Sequence, residues 1–407
     1  MMDSPEARAL AAEPWLFGRQ GLGLLALVMA IAATFLATDI TYLAGALLLV
    51  GLAARAWAAL AFTRVSYTRR TSRARAFCGD ELALESTLAN PRPLPLPWVE
   101  VWEHLPAALA PAGASERSFV DPNRMWLSRG VAIWPYQRLK WSRKLVCSHR
   151  GAFRMGQITL RTGDPFGFFE RERQLQDTLE LLVYPRVVPL RHLGLPLHHP
   201  ALDVVGPNSP IADPTRTATV RDYRPGDPQR LIHWPTTARR GSLQVRVLEP
   251  ATSLHVSLVL DVRGFSFGVY HDELLELTLS ALASLAVFLQ SEGAPIAMLA
   301  NTNPPVVIPP GASVPHLQHV LERLARLKPH AGPPLVPWAV HELPRGNTVV
   351  LAASDITVDL ERSIARLQDA ELTVVALLAT ARAGSTPRWA VPITPGCDLA
   401  ARLEGRG

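Results

Sequence analysis

Leu254-His-Val-Ser-Leu-Val-Leu-Asp261 is an apolar run of strand length that closes on a single carboxylate. Its surroundings decide how it is read. His271 to Leu289 follows as a long amphipathic helix, and Pro295 to Ala300 as a second apolar strand. Beyond these the pattern predicts a short strand at 305–308, a helix over 314–327 and a strand over 347–352. A helix over 358–370 and a strand over 372–378 complete the series. Strongly apolar strands alternating with helices make a doubly wound α/β sheet, with ligands expected at the carboxyl ends of the strands. Residues 251–407 are therefore read as one α/β domain.

Immediately upstream, Arg221 to Arg240 reads RDYRPGDPQRLIHWPTTARR and runs through Gly241 into an alternating strand, Leu243 to Leu248. Arg224-Pro225-Gly226-Asp227 predicts a type II turn, in which Pro fixes φ at the second position and Gly supplies positive φ at the third. Asp222 and Asp227 stand close to Arg221, Arg224, Arg230, Arg239 and Arg240, which can pair with carboxylates through two parallel bonds. Two readings of the segment carry equal weight. One is a binding surface for an acidic partner or a phosphate; the other is a polar clasp between domains, with Ile232 and Trp234 as its apolar plug. A catalytic reading uses His233 as base and Asp222 or Asp227 to orient it, yet no nucleophile stands at a telling spacing. Thr236 and Thr237 qualify only by proximity.

The order Arg221-Asp222-Tyr223-x-Pro225-Gly226-Asp227, Arg230-x-Ile232-x-Trp234 and Ala238-Arg239 resembles the signature of the DUF58 family of bacterial membrane proteins. Asp164-Pro-Phe-Gly-Phe-Phe169 and Val183-Tyr-Pro-Arg186 resemble the same pattern. The resemblance implies a membrane anchor, a von Willebrand factor A-like C-terminal domain, and partnership with a MoxR-type AAA+ ATPase. Transglutaminase-like or A-domain membrane proteins are implied as further partners. In a metal-binding A domain the first strand ends in Asp-x-Ser-x-Ser, with a later acid in an oxygen shell that suits Mg²⁺. Here Asp261 is in place, but Arg263 and Phe265 occupy the serine positions and Asp355 matches the distal acid. A guanidinium cannot ligate a cation, so Arg263 is expected between Asp261 and Asp355 as a counter-ion, with no metal bound. Ser266, one residue out of register, leaves room only for a loosened site.

Between these and the N-terminus, 67–190 reads as β-rich. Glu81 to Leu88 and Trp98 to Glu103 alternate, and short strands are expected at 130–134, 143–148, 157–161 and 179–184. Pro and Gly punctuation argues a small antiparallel sandwich or barrel. Asp164 is expected to bond local backbone NH groups and start a turn over packed Phe residues. Residues 191–250 form a linker plus the signature loop, whose His192, His198 and His199 lack acidic or Cys partners and read as solvated.

Residues 1–66 predict a two-helix membrane anchor. Gly21 to Ala37 carries no charge, and a second run spans Tyr42 to Phe62, broken only by Arg55, which is expected to snorkel. Thr38 to Thr41 reads as the turn between them. Trp15 and Trp57 sit where interfacial aromatics belong, and acids ahead of the first run argue against a cleaved signal. Arg8, Arg19, Arg64, Arg69, Arg70, Arg73 and Arg75 flank the pair, placing both ends and the body on the cytoplasmic side of the inner membrane.

Composition agrees with this layout. The chain of 407 residues is 48% hydrophobic and 19% charged, with mean hydropathy +0.13. Its net charge of +6 follows from arginines near the anchor and does not imply nucleic acid. Cys78, Cys147 and Cys397 suggest neither a disulfide framework nor a zinc site and favour a reducing compartment. The expected function is a membrane-anchored cytoplasmic adaptor without cofactor. The alternatives are a divalent-metal-dependent A-domain ligand binder, and a hydrolase or transferase built on His233.

Overall fold

The computed structural model describes residues 18–35, 38–111, 124–195, 212–224, 227, 229–250, 255–265, 271–328, 334–335, 343, 347–354, 356–381, 387 and 390–405. The chain falls into two units, Met1–Arg186 and Val187–Gly407.

Among the described residues, the first unit begins with two helices, α1 (Arg19–Thr34) and α2 (Thr38–Leu60). By length and apolarity α2 can cross a membrane, whereas α1, at 16 residues, is shorter than the ~20 a span ordinarily needs. The expected turn at Thr38–Thr41 is instead the first turn of α2. Asp39 suits that position, because a carboxylate near the free NH groups of a helix start is favourable. Leu24, Leu27, Ile31, Leu43, Leu49 and Leu52 face outward from the pair. Trp15 lies outside the described residues.

Nine strands follow: β1 (Ser66–Thr71), β2 (Arg75–Phe77), β3 (Glu81–Ala89), β4 (Leu96–Pro106), β5 (Leu109–Pro111), β6 (Arg124–Ile133), β7 (Arg138–Cys147), β8 (Gly151–Gly163) and β9 (Glu170–Tyr184). They form a sheet in the order β1-β3-β7-β5 and another in the order β2-β9-β8-β4-β6. Leu82 and Leu84 of the first sheet meet Leu105, Leu127, Met155 and Leu181 of the second in one buried cluster. A second cluster joins Tyr67 and Leu88 to Val99, Val101 and Leu160, and takes in Ala61 from the end of α2. The strands are longer than their alternating cores suggest, since β8 and β9 pair from Gly151–Val183 to Gly163–Glu170 in a long hairpin.

Two arginines behave differently from their sequence reading. Arg55 does not reach away along α2; its guanidinium lies 5.8 Å from the centre of the Phe169 ring. Arg69 is buried rather than part of a surface collar, donating to the carbonyls of Gly156 and Asp177 at 2.8 and 2.7 Å.

In the second unit, a ribbon of β10 (Ala212–Asp222) and β11 (Gln244–Pro250) precedes the sheet. The sheet contains β12 (Val256–Leu260), β13 (Ile296–Ala300), β14 (Val306–Gly311), β15 (Thr348–Ala353), β16 (Thr373–Ala379) and β17 (Ala390–Ile393). Its order is β14-β13-β12-β15-β16-β17, parallel except for β14 at one edge. Every residue of β12, β13 and β15 is buried, as expected when both faces are covered. The helices are α4 (His271–Ser291), α5 (Val314–Arg326), α6 (Val358–Asp369) and α7 (Leu399–Leu403), and a short α3 (Trp234–Arg240) lies inside the ribbon. Asp272–Ser291 is also apolar and long enough to cross a membrane, but Leu275, Leu279, Leu282, Leu285 and Leu289 are buried as α4 packs over β13, β15 and β16. It is the core helix of the sheet.

β10 was not expected, since 191–219 reads as linker; its pairing with β11 turns the signature into a hairpin excursion. The segment after Val187 docks on the same unit. Val188 NH donates to Ser284 Oγ at 2.9 Å, Arg191 NH to Glu404 Oε1 at 2.7 Å and Gly194 NH to Leu403 O at 3.0 Å. Gly194 lies so close to Glu404 that a Cβ would stand 2.2 Å from its carbonyl carbon, which explains the glycine. His198 and His199 lie outside the described residues; His192 is exposed.

Candidate functional site

Two places hold the residues singled out by chemistry: the tip of the β10–β11 hairpin, and the carboxyl ends of β12 and β13. At the tip, Arg221 closes a fork on Asp227, with Nη1 to Oδ2 and Nη2 to Oδ1 both at 2.8 Å. Asp227 Oδ2 also accepts from Arg224 NH at 2.8 Å, and Asp227 NH donates to Arg224 O at 3.0 Å, the bond of a β-turn. Those bonds from Arg221 and Arg224 hold the Asp227 carboxyl down to about 2 and raise Arg221 above its ordinary value. Pro225, Gly226 and the side chain of Arg230 lie outside the described residues.

Asp222 has a different partner. Gln244, fully buried, donates from Nε2 to Asp222 Oδ1 and to Ser242 Oγ, and its NH donates to Thr237 Oγ1 at 3.0 Å. Gln244 escaped the sequence reading because it sits in a strand pattern that only its pairing turns inward. Tyr223 NH donates to Leu243 O at 2.9 Å, and His233 NH to Gln244 O at 2.8 Å. His233 itself caps α3: Nδ1 accepts from Thr236 NH at 3.3 Å and lies 2.7 Å from Thr236 Oγ1. Among the described residues neither Asp222 nor Asp227 shares a hydrogen bond with His233, so the base–orienter pair of the catalytic reading is not assembled. Gly241 ends α3 with φ of 71°, a conformation that suits glycine.

Trp234 departs from its expected role as an apolar plug. It stands 65% exposed, while Ile232 is half-buried and bridges Val245. The cause is position: Trp234 opens α3, whose seven residues bury none of their side chains. Arg224, Arg239 and Arg240 are exposed beside it in sequence.

At the carboxyl end of β12, Asp261 is buried and accepts four bonds. Asn301 Nδ2 and the NH and Nε of Arg263 reach Oδ1 at 2.8, 3.1 and 3.2 Å, and Arg263 Nη2 reaches Oδ2 at 3.0 Å. Burial alone would raise the Asp261 carboxyl, but the bonds from Arg263 and Asn301 outweigh it and hold the group below its ordinary range. The second acid near Arg263 is Asp359, at 3.9 Å from Nη1; Asp355 and Ser266 lie outside the described residues. Asn301, at the end of β13, was not predicted, and it also accepts Val262 NH at 2.8 Å. Phe265 is a core side chain. Among the described residues, no three His, Cys, Asp or Glu side chains gather as a group that could hold a metal ion.

Both places fall inside one stretch of recognisable sequence. Residues 219–385 match the family described as Protein of unknown function DUF58. The match begins within β10 and ends beyond β16, so it covers the hairpin tip and the sheet as far as β16. The chain is also 28% identical over 298 residues to the uncharacterized protein YeaD of Bacillus subtilis (strain 168), spanning 72% of this chain and 69% of that one. Likeness to solved structures is slight. Proximal thread matrix protein 1 from the mussel byssus aligns over 38% of this chain and 46% of its own, less than half its length, at 10% identity and a TM-score of 0.28. A cohesin module from a Clostridium perfringens glycoside hydrolase aligns over 29% of this chain and 96% of its own, at 12% identity and a TM-score of 0.21. Resemblances that slight say nothing of fold or function here.

Proposed function

We propose that this protein is a membrane-tethered adaptor of the DUF58 type, with its body on the cytoplasmic face and the β10–β11 hairpin as a docking surface for a protein partner. The exposure of Trp234 carries this reading. A large aromatic ring left 65% exposed on the same short helix as the exposed Arg239 and Arg240 has the composition of an interface centre, where Trp and Arg contribute most. The loop is also ordered in advance by the Arg221–Asp227 fork and the His233 cap, which lowers the entropic cost of docking.

The partner class in this reading, a MoxR-type AAA+ ATPase, is the one that the resemblance of the signature implies. The sheet order, with its antiparallel edge strand β14, supports a von Willebrand factor A-like reading of the second unit. In that reading Arg263 occupies the place a cation would take, which argues against the metal-dependent alternative. Exposed Arg64, Arg70 and Arg73 after α2 support the cytoplasmic orientation.

The test is gentle detergent extraction of the tagged full chain from its host, comparing wild type with Trp234→Ala/Arg239→Ala at equal circular dichroism. An AAA+ ATPase recovered with wild type alone is the expected result. Equal recovery with both would move the interface off the hairpin, and recovery with neither would overturn the ATPase partnership.

A further inference from the structure

The first unit carries exposed aromatic rings on two turns near the end of α2. Asp164 is buried beneath the turn between β8 and β9, accepting Phe166 NH at 2.9 Å and Phe169 NH at 2.6 Å. This fixes the turn so that Phe169 packs with Leu22 of α1 and Ala54 and Ala58 of α2, with Phe168 against the same cluster. Phe166 does not pack beneath the turn; it stacks on Phe168 with ring centres 5.6 Å apart and stays 60% exposed. Ala54 precedes Leu60, the last residue of α2, by six positions. At ~1.5 Å per residue the turn therefore reaches about 9 Å up the helix from its end.

A second turn lies at the same helix end. Arg92 donates through Nη1 to Leu60 O, which also accepts Thr63 NH, and through Nη2 to Ala61 O at 2.5 Å, bonding carbonyls at the C-terminal end of α2. Arg92 O in turn accepts Tyr136 NH at 3.2 Å, and Asn90 Nδ2 donates to Trp134 O at 3.2 Å. Trp134 and Tyr136 are thereby held beside the exit of α2, yet they are 67% and 72% exposed.

We propose that the β-rich unit is itself seated in the bilayer surface, with Phe166 and Phe168 among the acyl chains and Trp134 and Tyr136 at headgroup level; this rests on the reading of α2 as a membrane span. The occupant follows from continuity. Leu49, Leu52 and Leu60 of α2 are exposed apolar side chains, and the Phe turn lies alongside that helix. Phe166 is tied to the last turns of α2 through Phe168, so lipid around those turns would meet it, and the same level grades into the headgroup zone that favours Trp and Tyr. The consequence is mechanical: the sandwich is clamped to the membrane by its turns as well as by its chain.

The experiment uses the full chain in nanodiscs of phosphatidylcholine and phosphatidylglycerol, in a Cys78→Ser/Cys397→Ser background, Cys147 being fully buried. Nitroxide labels are placed singly by Phe166→Cys, Trp134→Cys, Leu49→Cys and His149→Cys. Accessibility to oxygen and to a water-soluble nickel chelate is then read by power saturation. The expected result is a label at 166 with nickel access several-fold below that at 149 and high oxygen access, 49 deeper still, and 134 between 166 and 149. A label at 166 as open to nickel as 149, with 49 in lipid, overturns the seating alone. Low access to both reagents at 166 also overturns it, in favour of a protein cover. Nickel access at 49 removes the span reading and the seating with it.

Discussion

The guanidinium of Arg263 lies across the carboxylate of Asp261 as a fork, Nε to Oδ1 at 3.2 Å and Nη2 to Oδ2 at 3.0 Å. Removing one partner of such a pair strands the other charge. Arg263→Ala is expected to destabilise the second unit by about 2–4 kcal/mol at pH 7, somewhat below the ~3–5 of a fully buried pair, because the Arg263 side chain keeps 25% of its exposure. Asp261 is held below its ordinary value, so its contribution is present above the unfolded value of about 3.9 and lost as pH falls through the folded one. The gap between variant and wild type should therefore narrow in acid, as read by urea unfolding from pH 7 to pH 3.

Asp227 offers an exposed counterpart. Its carboxyl, held down to about 2 by Arg221 and the NH of Arg224, should stay charged through pH 3 in a carboxyl carbon NMR titration. In Arg221→Ala it should move up toward the usual range. Whatever stability the fork contributes is present above the unfolded value and lost as pH falls toward 2.

The capping role of His233 separates structure from catalysis. His233→Ala should cost about 1 kcal/mol through loss of the cap, while His233→Asn should keep it. Full partner binding by the Asn variant, measured on the purified complex, is the expected outcome; loss of function with stability retained would restore the catalytic reading.

Asp164 anchors the Phe turn through two backbone donors. Asp164→Ala leaves the NH groups of Phe166 and Phe169 without it and should cost about 2–6 kcal/mol, at roughly 1–3 for each of the two stranded groups. Thermal unfolding of the full chain in detergent gives the value. The label at 166 should lose its fixed depth in the same variant.

Much of this architecture is legible along the chain because its signals are local. The strand–helix alternation after Leu254 predicts β12 to β16 and α4 to α6 to within a few residues, since each element carries its own period and its own stop. Ser313 and Thr357 cap α5 and α6 as side chains of their type do. β17 and α7 were missed because four- and five-residue elements have too few positions to show a period. The same limit hid the three-residue β2 and β5; β1, SYTRRT, has no apolar alternation to show, and β10 lay under a Pro- and Asp-rich stretch that reads as loop.

What the sequence by itself determined is the order of parts: an apolar helical start, a β-rich middle, and an α/β sheet whose first strand ends on Asp261 beside Arg263. Only the tertiary structure decided which groups meet. Asn301 reaches Asp261 from forty positions away, Gln244 reaches Asp222 across a ribbon, and Arg92 reaches the carbonyl of Leu60 from the turn between β3 and β4. It also left Trp234 and Phe166 in the open although each is apolar enough to be buried. Periodicity reports the face a side chain takes within its own element. Partners and exposure are set by the packing of elements distant in sequence, and no local pattern encodes that.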